Sequence, residues 1–174
     1  SVGRRLKVAA MSLDDFSRRA FVTTALTGGF ALAVQPVRAD TLVHTDDKGI
    51  KTEAVRLKTT NGPLPAFVAA PEGKGHFPVI LVVQEIFGVH EHIKDVCRRF
   101  AKQGAMAIAP ELYARYADVT KISDIQEIVR TVVSRVPDAQ VMSDLDSAVA
   151  WARESGRASA DKLGITGFCW GGRI

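Results

Sequence analysis

The sequence has 174 residues, of which 47% are hydrophobic and 24% are charged, a composition that fits one soluble globular domain. Its formal net charge is +4, but residues 1–39 hold six Lys or Arg and only two Asp, which leaves 17 basic and 17 acidic residues elsewhere. Because the excess positive charge belongs to this N-terminal segment, the remainder has no net basic character, and we exclude nucleic acid as a partner.

Residues 1–39 have the layout of an export leader. A twin-arginine pair, Arg18-Arg19, precedes a modestly apolar run over 20–34 that is too short to span a membrane stably. The segment ends in small residues that suit signal-peptidase cleavage after Ala39, and Met11 is the expected start site. We therefore predict export by the twin-arginine machinery to the periplasm. The alternative is an amphipathic first helix of the folded domain.

The domain over 40–174 begins with a predicted β-hairpin. Alternating apolar residues over 52–57 and 64–70 flank an Asn61-Gly62-Pro63 turn. The continuous apolar run over 78–85 then predicts a central parallel strand that is buried on both faces.

Helical and strand patterns alternate along the rest of the chain. Apolar residues at helical spacing over 93–101 predict a helix that Gly104 ends. The further predictions are a buried strand over 105–109, one helix over 121–136, a helix from an Asp138 N-cap to Gly156, and a buried strand over 163–168. This alternation predicts an α/β fold, a mostly parallel sheet with an N-terminal antiparallel hairpin, whose ligands bind at the carboxyl ends of the strands.

The last strand leads into a Gly-x-Cys-x-Gly turn centred on Cys169. This is the nucleophile-elbow pattern, in which Gly167 and Gly171 are the small residues that a sharp, strained turn requires. The turn holds the sulfur above the sheet at the start of a helix, where partial positive charge favours a thiolate. We therefore predict that Cys169 is a nucleophile. The alternative is a buried structural cysteine. A Rossmann phosphate loop is excluded, because Cys169 stands where its middle glycine would be.

The other cysteine, Cys97, lies within the pattern of the first helix. We expect both cysteines to be free thiols. The spacing of Cys and His along the chain resembles no metal site, and we predict no metal.

Two features near the predicted elbow are candidates for catalysis. Glu85 follows the central strand, where its carboxylate could accept a hydrogen bond from the thiol or disfavour the thiolate by like charge. The alternative is a loop glutamate in solvent. The amides of Ile86 and Trp170 are expected to form an oxyanion hole, because the fold takes its donors from this loop and from the residue after the nucleophile.

Arg115 and Tyr113 follow another strand end. The guanidinium could bind a substrate carboxylate with two hydrogen bonds, and the ring could line the pocket. The alternatives are a solvated arginine and a tyrosine packed beneath the loop. His90 and His92 precede Cys169 in the chain. In folds that carry a nucleophile elbow, the catalytic acid and base follow the nucleophile, so we interpret both histidines as helix-start or packing residues.

Three blocks resemble the dienelactone hydrolase family, in order and at similar spacing: Gln84-Glu85-Ile86-Phe87-Gly88, Pro110-Glu111-Leu112-Tyr113 and Gly167-Phe168-Cys169-Trp170-Gly171-Gly172. The resemblance covers about 51–174. It implies an α/β-hydrolase fold, a Cys–Asp–His triad without metal or organic cofactor, and hydrolysis of cyclic enol-lactones such as carboxymethylenebutenolide. In that family the glutamate matching Glu85 contacts the resting thiol, and an arginine after the Leu-Tyr block, to which Arg115 is the nearest match, helps to bind the substrate carboxylate.

The five residues after Cys169 include neither Asp nor His. We therefore expect the N-terminal portion of a lactone or ester hydrolase, truncated after the elbow and almost inactive by itself. Two alternatives remain open. One is an inactive truncated product or a non-catalytic ligand-binding fragment, and the other is an esterase, thioesterase or peptidase that uses the same elbow.

Overall fold

A computed structural model describes residues 43–174. The predicted leader and its cleavage site after Ala39 lie outside them. Regular structure consists of strands β1 (Ile50–Thr59), β2 (Gly62–Pro71), β3 (Phe77–Val83), β4 (Met106–Pro110) and β5 (Ala158–Gly167), and helices α1 (Glu91–Lys102), α2 (Ile125–Thr131) and α3 (Asp138–Glu154). Three 3₁₀ turns complete it, at Val119–Lys121, Val133–Arg135 and Cys169–Arg173.

The strands form one mixed sheet in the order β1-β2-β4-β3-β5. Strands β1 and β2 pair as an antiparallel hairpin, and β2 also pairs antiparallel with β4. Strand β3 lies parallel to both β4 and β5. The predicted architecture is confirmed: an antiparallel hairpin precedes a parallel region, and β3 lies inside the sheet with neighbours on both sides.

The hairpin turn is one residue earlier than its sequence pattern indicated. Thr59 pairs with Gly62, which leaves Thr60-Asn61 as a two-residue turn and places Gly62-Pro63 in β2. The Thr59 hydroxyl donates to the carbonyl oxygen of Gly62 at 2.7 Å and fixes this turn.

Helix α1 covers one face of the sheet. Its residues Ile93, Cys97 and Ala101 are at most 2% exposed, and they pack in one cluster with Val82 of β3 and Ala107 of β4. Burial of a larger apolar side chain, such as that of Ile93 or Val82, contributes roughly 1.5–3 kcal/mol to the stability of the fold. Cys97 is therefore a core residue, as expected from its place in the helical pattern.

Helix α3 covers the opposite face. Val79 and Leu81 alternate with Val82 along β3, so they point away from α1, and both are buried. Helix α3 contacts β1, β3, β4 and β5 through its own buried residues, Val141, Leu145, Ala148 and Ala152. The two helical layers explain why the apolar run of β3 has no polar alternation.

The helical stretch predicted over 121–136 is only partly confirmed: α2 and the 3₁₀ turn at Val133–Arg135 lie within it, but residues 122–124 are not helical and the helix is not continuous. Asp124 caps α2 by accepting a hydrogen bond from the amide of Gln126 at 2.9 Å. Only Ile128 of α2 is buried, and Val129 is 42% exposed. The predicted N-cap of α3 is also displaced: Pro137 is the cap, and Asp138 is the first helical residue.

Strand β5 forms where a strand was predicted over 163–168, but it begins five residues earlier, at Ala158, and it is not buried. Leu163 is 50% exposed and Ile165 is 57% exposed, although their partners across the sheet, Val79 and Leu81, are buried. The reason is position: β5 lies at the end of the strand order and pairs only with β3 among the described strands. An apolar run predicts burial, but its place in the sheet decides how much cover it receives.

The arm before β1 has no regular structure between Val43 and Lys48, as expected. It is nevertheless tied to α1. The amide of Thr45 donates to Asp95 Oδ1 at 2.6 Å, and Lys102 Nζ donates to the carbonyl oxygen of Lys48 at 2.6 Å. Within 43–174 no helix combines the length and the apolar character needed to cross a membrane.

Candidate active site at the elbow

The elbow is a strained turn that presents Cys169 to solvent. Cys169 has φ = 51°, and it is the one non-glycine residue with positive φ within 43–174. A backbone in this left-handed region is unfavourable for a residue with a side chain and recurs at active sites. The side chain is exposed and the cysteine is free. The alternative of a buried structural cysteine is therefore wrong for Cys169, although it describes Cys97.

Two glycines make this turn possible. A Cβ atom on Gly167 would overlap the carbonyl group of Gly171. A Cβ atom on Gly171 would lie 2.6 Å from the carbonyl oxygen of Gln84 and 2.7 Å from that of Val83. The elbow is thus packed directly on the end of β3, and the small residues are required by contact rather than by the turn alone.

The register of the sheet brings the elbow and the loop after β3 to the same edge. Val83 pairs with Gly167 across parallel strands, and the amide of Phe168 donates to the carbonyl oxygen of Val83 at 3.4 Å. Glu85 and Cys169 each lie two residues beyond this pair. Both therefore leave the sheet at its carboxyl edge, as predicted.

Glu85 is held by a histidine. His90 Nε2 and Glu85 Oε2 lie 2.6 Å apart, and the Glu85 side chain is 21% exposed. The hydrogen bond from His90 is the main cause that lowers the pKa of Glu85, against the opposing effect of its burial. The Glu85 carboxylate makes no hydrogen bond to the Cys169 thiol among the described contacts. His90 does open α1, as its N-cap, but its pairing with Glu85 was not foreseen.

The backbone amides of Ile86 and Trp170 are free of internal acceptors. Within the part of the chain that the structure describes, neither amide donates to a backbone or side-chain oxygen. Ile86 is 7% exposed and Trp170 is 6% exposed. Amides in such positions can serve as donors to a developing negative charge.

Tyr113 is packed against Trp170 of the elbow and is almost fully buried, and it also borders a neighbouring recess. Its ring centroid is 5.0 Å from that of Trp170, and the residue is 2% exposed. Burial, followed by the charge of Cys169, raises the pKa of the Tyr113 phenol. Neither its hydroxyl nor Trp170 Nε1 has a hydrogen-bond partner among the described residues. Two unused donors are therefore buried next to the elbow.

Arg115 is occupied by partners within the domain. Its Nη1 and Nη2 atoms donate to the two carboxylate oxygens of Asp144 at 2.7 and 3.0 Å. Nη2 also donates to the hydroxyl of Thr59 at 2.6 Å, and Nε donates to the carbonyl oxygen of Asn61 at 3.2 Å. Through these four bonds Arg115, in the loop after β4, joins the hairpin turn to α3. The geometry supports a bracing role and does not support the expected contact with a substrate carboxylate.

Gln84 is a positioning residue that the sequence reasoning missed. It is fully buried, and its Oε1 accepts a hydrogen bond from the amide of Leu112 at 3.0 Å. The bond fixes the loop after β4 to the end of β3. A polar residue at the end of an otherwise apolar run was the available signal, because a buried amide requires partners.

A recess of about 400 Å³ lies between the loops that follow β3 and β4. Tyr113, Gln84, Gly88 and Lys94 contribute to its wall, whereas Cys169 does not. A second, more apolar recess of about 520 Å³ lies on the α1 side and reaches Phe168, the residue before Cys169. No three His, Cys, Asp or Glu side chains gather as metal ligands anywhere in the described range.

Comparison with known proteins agrees with this geometry. The Dienelactone hydrolase family model matches residues 64–174. A Methylorubrum extorquens protein provisionally named a carboxymethylenebutenolidase is 61% identical over 158 residues, which is 91% of this chain and 54% of that protein. A Salmonella typhi protein with the same provisional name is 47% identical over 154 residues, 88% of this chain and 56% of that protein.

A solved structure supports the fold assignment. The crystal structure of a protein from Klebsiella pneumoniae, provisionally named a dienelactone hydrolase, has 48% sequence identity and a TM-score of 0.67 over 70% of this chain and 51% of that one. The chain thus spans about half the length of the relatives it matches. From its sequence, its sheet and its elbow, we conclude that this chain belongs to the dienelactone hydrolase family and has the α/β-hydrolase fold.

Proposed function

We propose that the intact protein hydrolyses a lactone or an ester through Cys169. The observation that carries this proposal is the exposed Cys169 at φ = 51° on a turn in which Gly167 and Gly171 admit no side chain. A strained backbone that is retained at an exposed thiol indicates a functional constraint. The names of the relatives support a lactone as the substrate class.

The reaction would proceed through a thioester. The Cys169 thiolate attacks the substrate carbonyl carbon, and the new S–C bond leaves negative charge on the carbonyl oxygen, which the amides of Ile86 and Trp170 bind. Each such donor contributes roughly 3 kcal/mol to transition-state stabilisation. The C–O bond then breaks and the leaving oxygen takes up a proton. Water attacks the thioester, releases a carboxylic acid and restores the thiol.

The base and the residue that orients it are expected in the part of the family fold that these residues do not cover. Residues 40–174 supply the nucleophile and the oxyanion donors, but Cys169 is followed by no Asp or His here. We therefore propose that residues 40–174, tested alone, hydrolyse substrate only weakly, because thioester formation requires a base. The exposed Leu163 and Ile165 on β5 also favour aggregation of such a fragment.

The test is to trap the intermediate in the natural full-length protein. The protein is mixed with an enol-lactone and with a neutral aryl ester, quenched in acid and analysed by mass spectrometry. We expect the acyl mass on the peptide that contains Cys169, and none on that peptide in Cys169→Ala under the same quench. Turnover without any adduct, and undiminished in Cys169→Ala, would contradict the proposal. Comparison with residues 40–174 alone tests the need for the remaining part of the fold.

We further propose that the protein is exported by the twin-arginine route. The support is the Arg18-Arg19 pair before a modestly apolar run. Periplasmic material is expected to begin at Asp40 in N-terminal sequencing. Replacing both Arg18 and Arg19 with Lys is expected to retain the protein in the cytoplasm, and unchanged export of this variant would exclude the route.

A further inference from the structure

The pair formed by Glu85 and His90 is built by a tight turn in the backbone. The amide of Gly88 donates to the carbonyl oxygen of Glu85 at 3.2 Å, and Gly88 has φ = 77°. This turn reverses the chain after β3, so that His90 comes beside Glu85 five residues later. His90 makes no side-chain bond to the start of α1, which leaves its ring free to bind the carboxylate.

The ring of His90 is fixed within a row of aromatic side chains. Its centroid is 6.2 Å from that of Phe87 in an edge-to-face arrangement, and 6.1 Å from that of His92 in a stacked one. The His92 ring then meets Phe168 edge-to-face at 5.5 Å. Since Phe168 directly precedes Cys169, the row connects the Glu85 partner with the base of the elbow.

We propose that His90 is a positioning residue, which fixes the Glu85 carboxylate at the carboxyl edge of the sheet beside the elbow and thereby sets the environment of the nucleophile. The proposal rests on the function proposed for Cys169. It differs from the sequence expectations, in which Glu85 either contacted the thiol or lay in solvent and His90 was a helix-start or packing residue.

The chemistry of the pair follows from its geometry. An ionised carboxylate only accepts hydrogen bonds, so Nε2 of His90 is the donor over the 2.6 Å distance. A charge-assisted bond of this length restrains both side chains more than a bond between neutral groups. Without it, the partly buried carboxylate could turn toward the Cys169 thiol or take up a proton.

The charged groups around Glu85 define the expected pH dependence. From α1, His90 faces it directly and His92 acts at longer range, while Cys169 lies at the elbow on the neighbouring strand end. Lys94, one turn along α1, lies instead over the Phe67 ring at 5.9 Å. Because His90 lowers the pKa of Glu85 from its ordinary 4.5, the carboxylate contribution is complete above that value and is lost as the pH falls through the lower native pKa.

The test replaces His90 in the natural full-length protein and measures the pH titration of the Glu85 carboxyl group directly. The Glu85 carboxyl signal is followed by ¹³C NMR against pH, with Glu85→Gln to assign it. We expect the Glu85 titration to move to higher pH in His90→Ala and in His90→Asn, whose amide is too short to reach. His90→Gln, which can still donate, is expected to stay near the wild type. His92→Ala, which removes no hydrogen bond to Glu85, is the matched control and is expected to move it less.

The kinetic readout separates positioning from a structural role. We expect kcat/KM to fall on the order of tenfold in His90→Ala, with its acid limb moved to higher pH and KM little changed, and to recover largely in His90→Gln. If Glu85 titrates identically in the wild type and in folded His90→Asn, the proposal is wrong. The proposal is also wrong if the Glu85 titration moves in the variant and the pH profile of kcat/KM stays the same. Failure of the proposed hydrolase function would appear in a different experiment, as the absence of a thioester in the wild type. The NMR comparison of Glu85 in the wild type and the variants could still be made.

Discussion

Two polar regions at the surface of the sheet differ in whether their donors have partners. In the brace that joins the hairpin to α3, Arg115 uses four of its five N–H groups in hydrogen bonds, and its main acceptor, Asp144, has a side chain only 1% exposed. At the elbow, by contrast, the amides of Ile86 and Trp170 and the hydroxyl of Tyr113 have no acceptor among the described residues. Donors that are bound to acceptors within the fold indicate a structural role, whereas unused donors next to a strained thiol mark the candidate active site.

Removal of the thiol should give the largest effect, and on activity alone. Cys169→Ala is expected to lower kcat by about 10⁶-fold, the size of effect seen when an activated nucleophile is removed. Because Cys169 is exposed, the melting temperature should change little. The matched control is Cys97→Ala, which should retain activity and lose some stability, since Cys97 lies in the core. Equal activity in both variants would remove the distinction between the two cysteines.

Removal of the brace should act on stability instead. Arg115→Ala leaves the Asp144 carboxylate buried without its partner, and we expect the free energy of unfolding to fall by about 3–5 kcal/mol. Urea denaturation measures it, with Lys121→Ala as the control for an exposed pair, since the side chain of Lys121 is 82% exposed. A selective loss of kcat/KM for an anionic lactone over a neutral ester would instead restore the substrate-binding role for Arg115.

Glycine replacements should show where the elbow is packed too closely on β3 to admit a side chain. Gly171→Ala places its Cβ 2.6 Å from the carbonyl oxygen of Gln84, and we expect a loss of about 1–3 kcal/mol together with activity. At Gly172 the nearest atom to an added Cβ is 3.5 Å away, so Gly172→Ala should be tolerated. Thermal melts and esterase assays of the two variants give the comparison. Similar behaviour of both would mean that the elbow is not tightly packed on β3.

The smallest effect expected is a difference in alkylation. Burial raises the pKa of Cys97 to about 12, which keeps it protonated and unreactive in the folded protein, whereas Cys169 is exposed. Iodoacetamide at about pH 8 should therefore add one label per folded chain and two in denaturant, as counted by mass spectrometry. Labelling of Cys97 in the folded protein would show that the core around α1 opens readily.

Local patterns in the sequence determined most of the elements. The hairpin, the strand over 78–85, the helix ended by Gly104 and the Gly-x-Cys-x-Gly turn were all predicted, because each depends on the spacing of apolar residues or on glycines at fixed offsets. The family followed from three short blocks for the same reason. The broken stretch over 121–136 was not predicted, since its apolar residues repeat at helical spacing whether or not the helix is continuous.

Only the tertiary structure decided which side chains meet. The sequence patterns left Arg115 as a substrate-binding or a solvated residue and His90 as a helix-start or packing residue. The fold instead pairs Arg115 with Asp144, 29 residues away, and His90 with Glu85 across a glycine turn. The exposure of Leu163 and Ile165 likewise follows from the place of β5 in the strand order. Local periodicity records which residues avoid water, whereas partners and cover depend on contacts between segments distant in sequence, which no local pattern encodes.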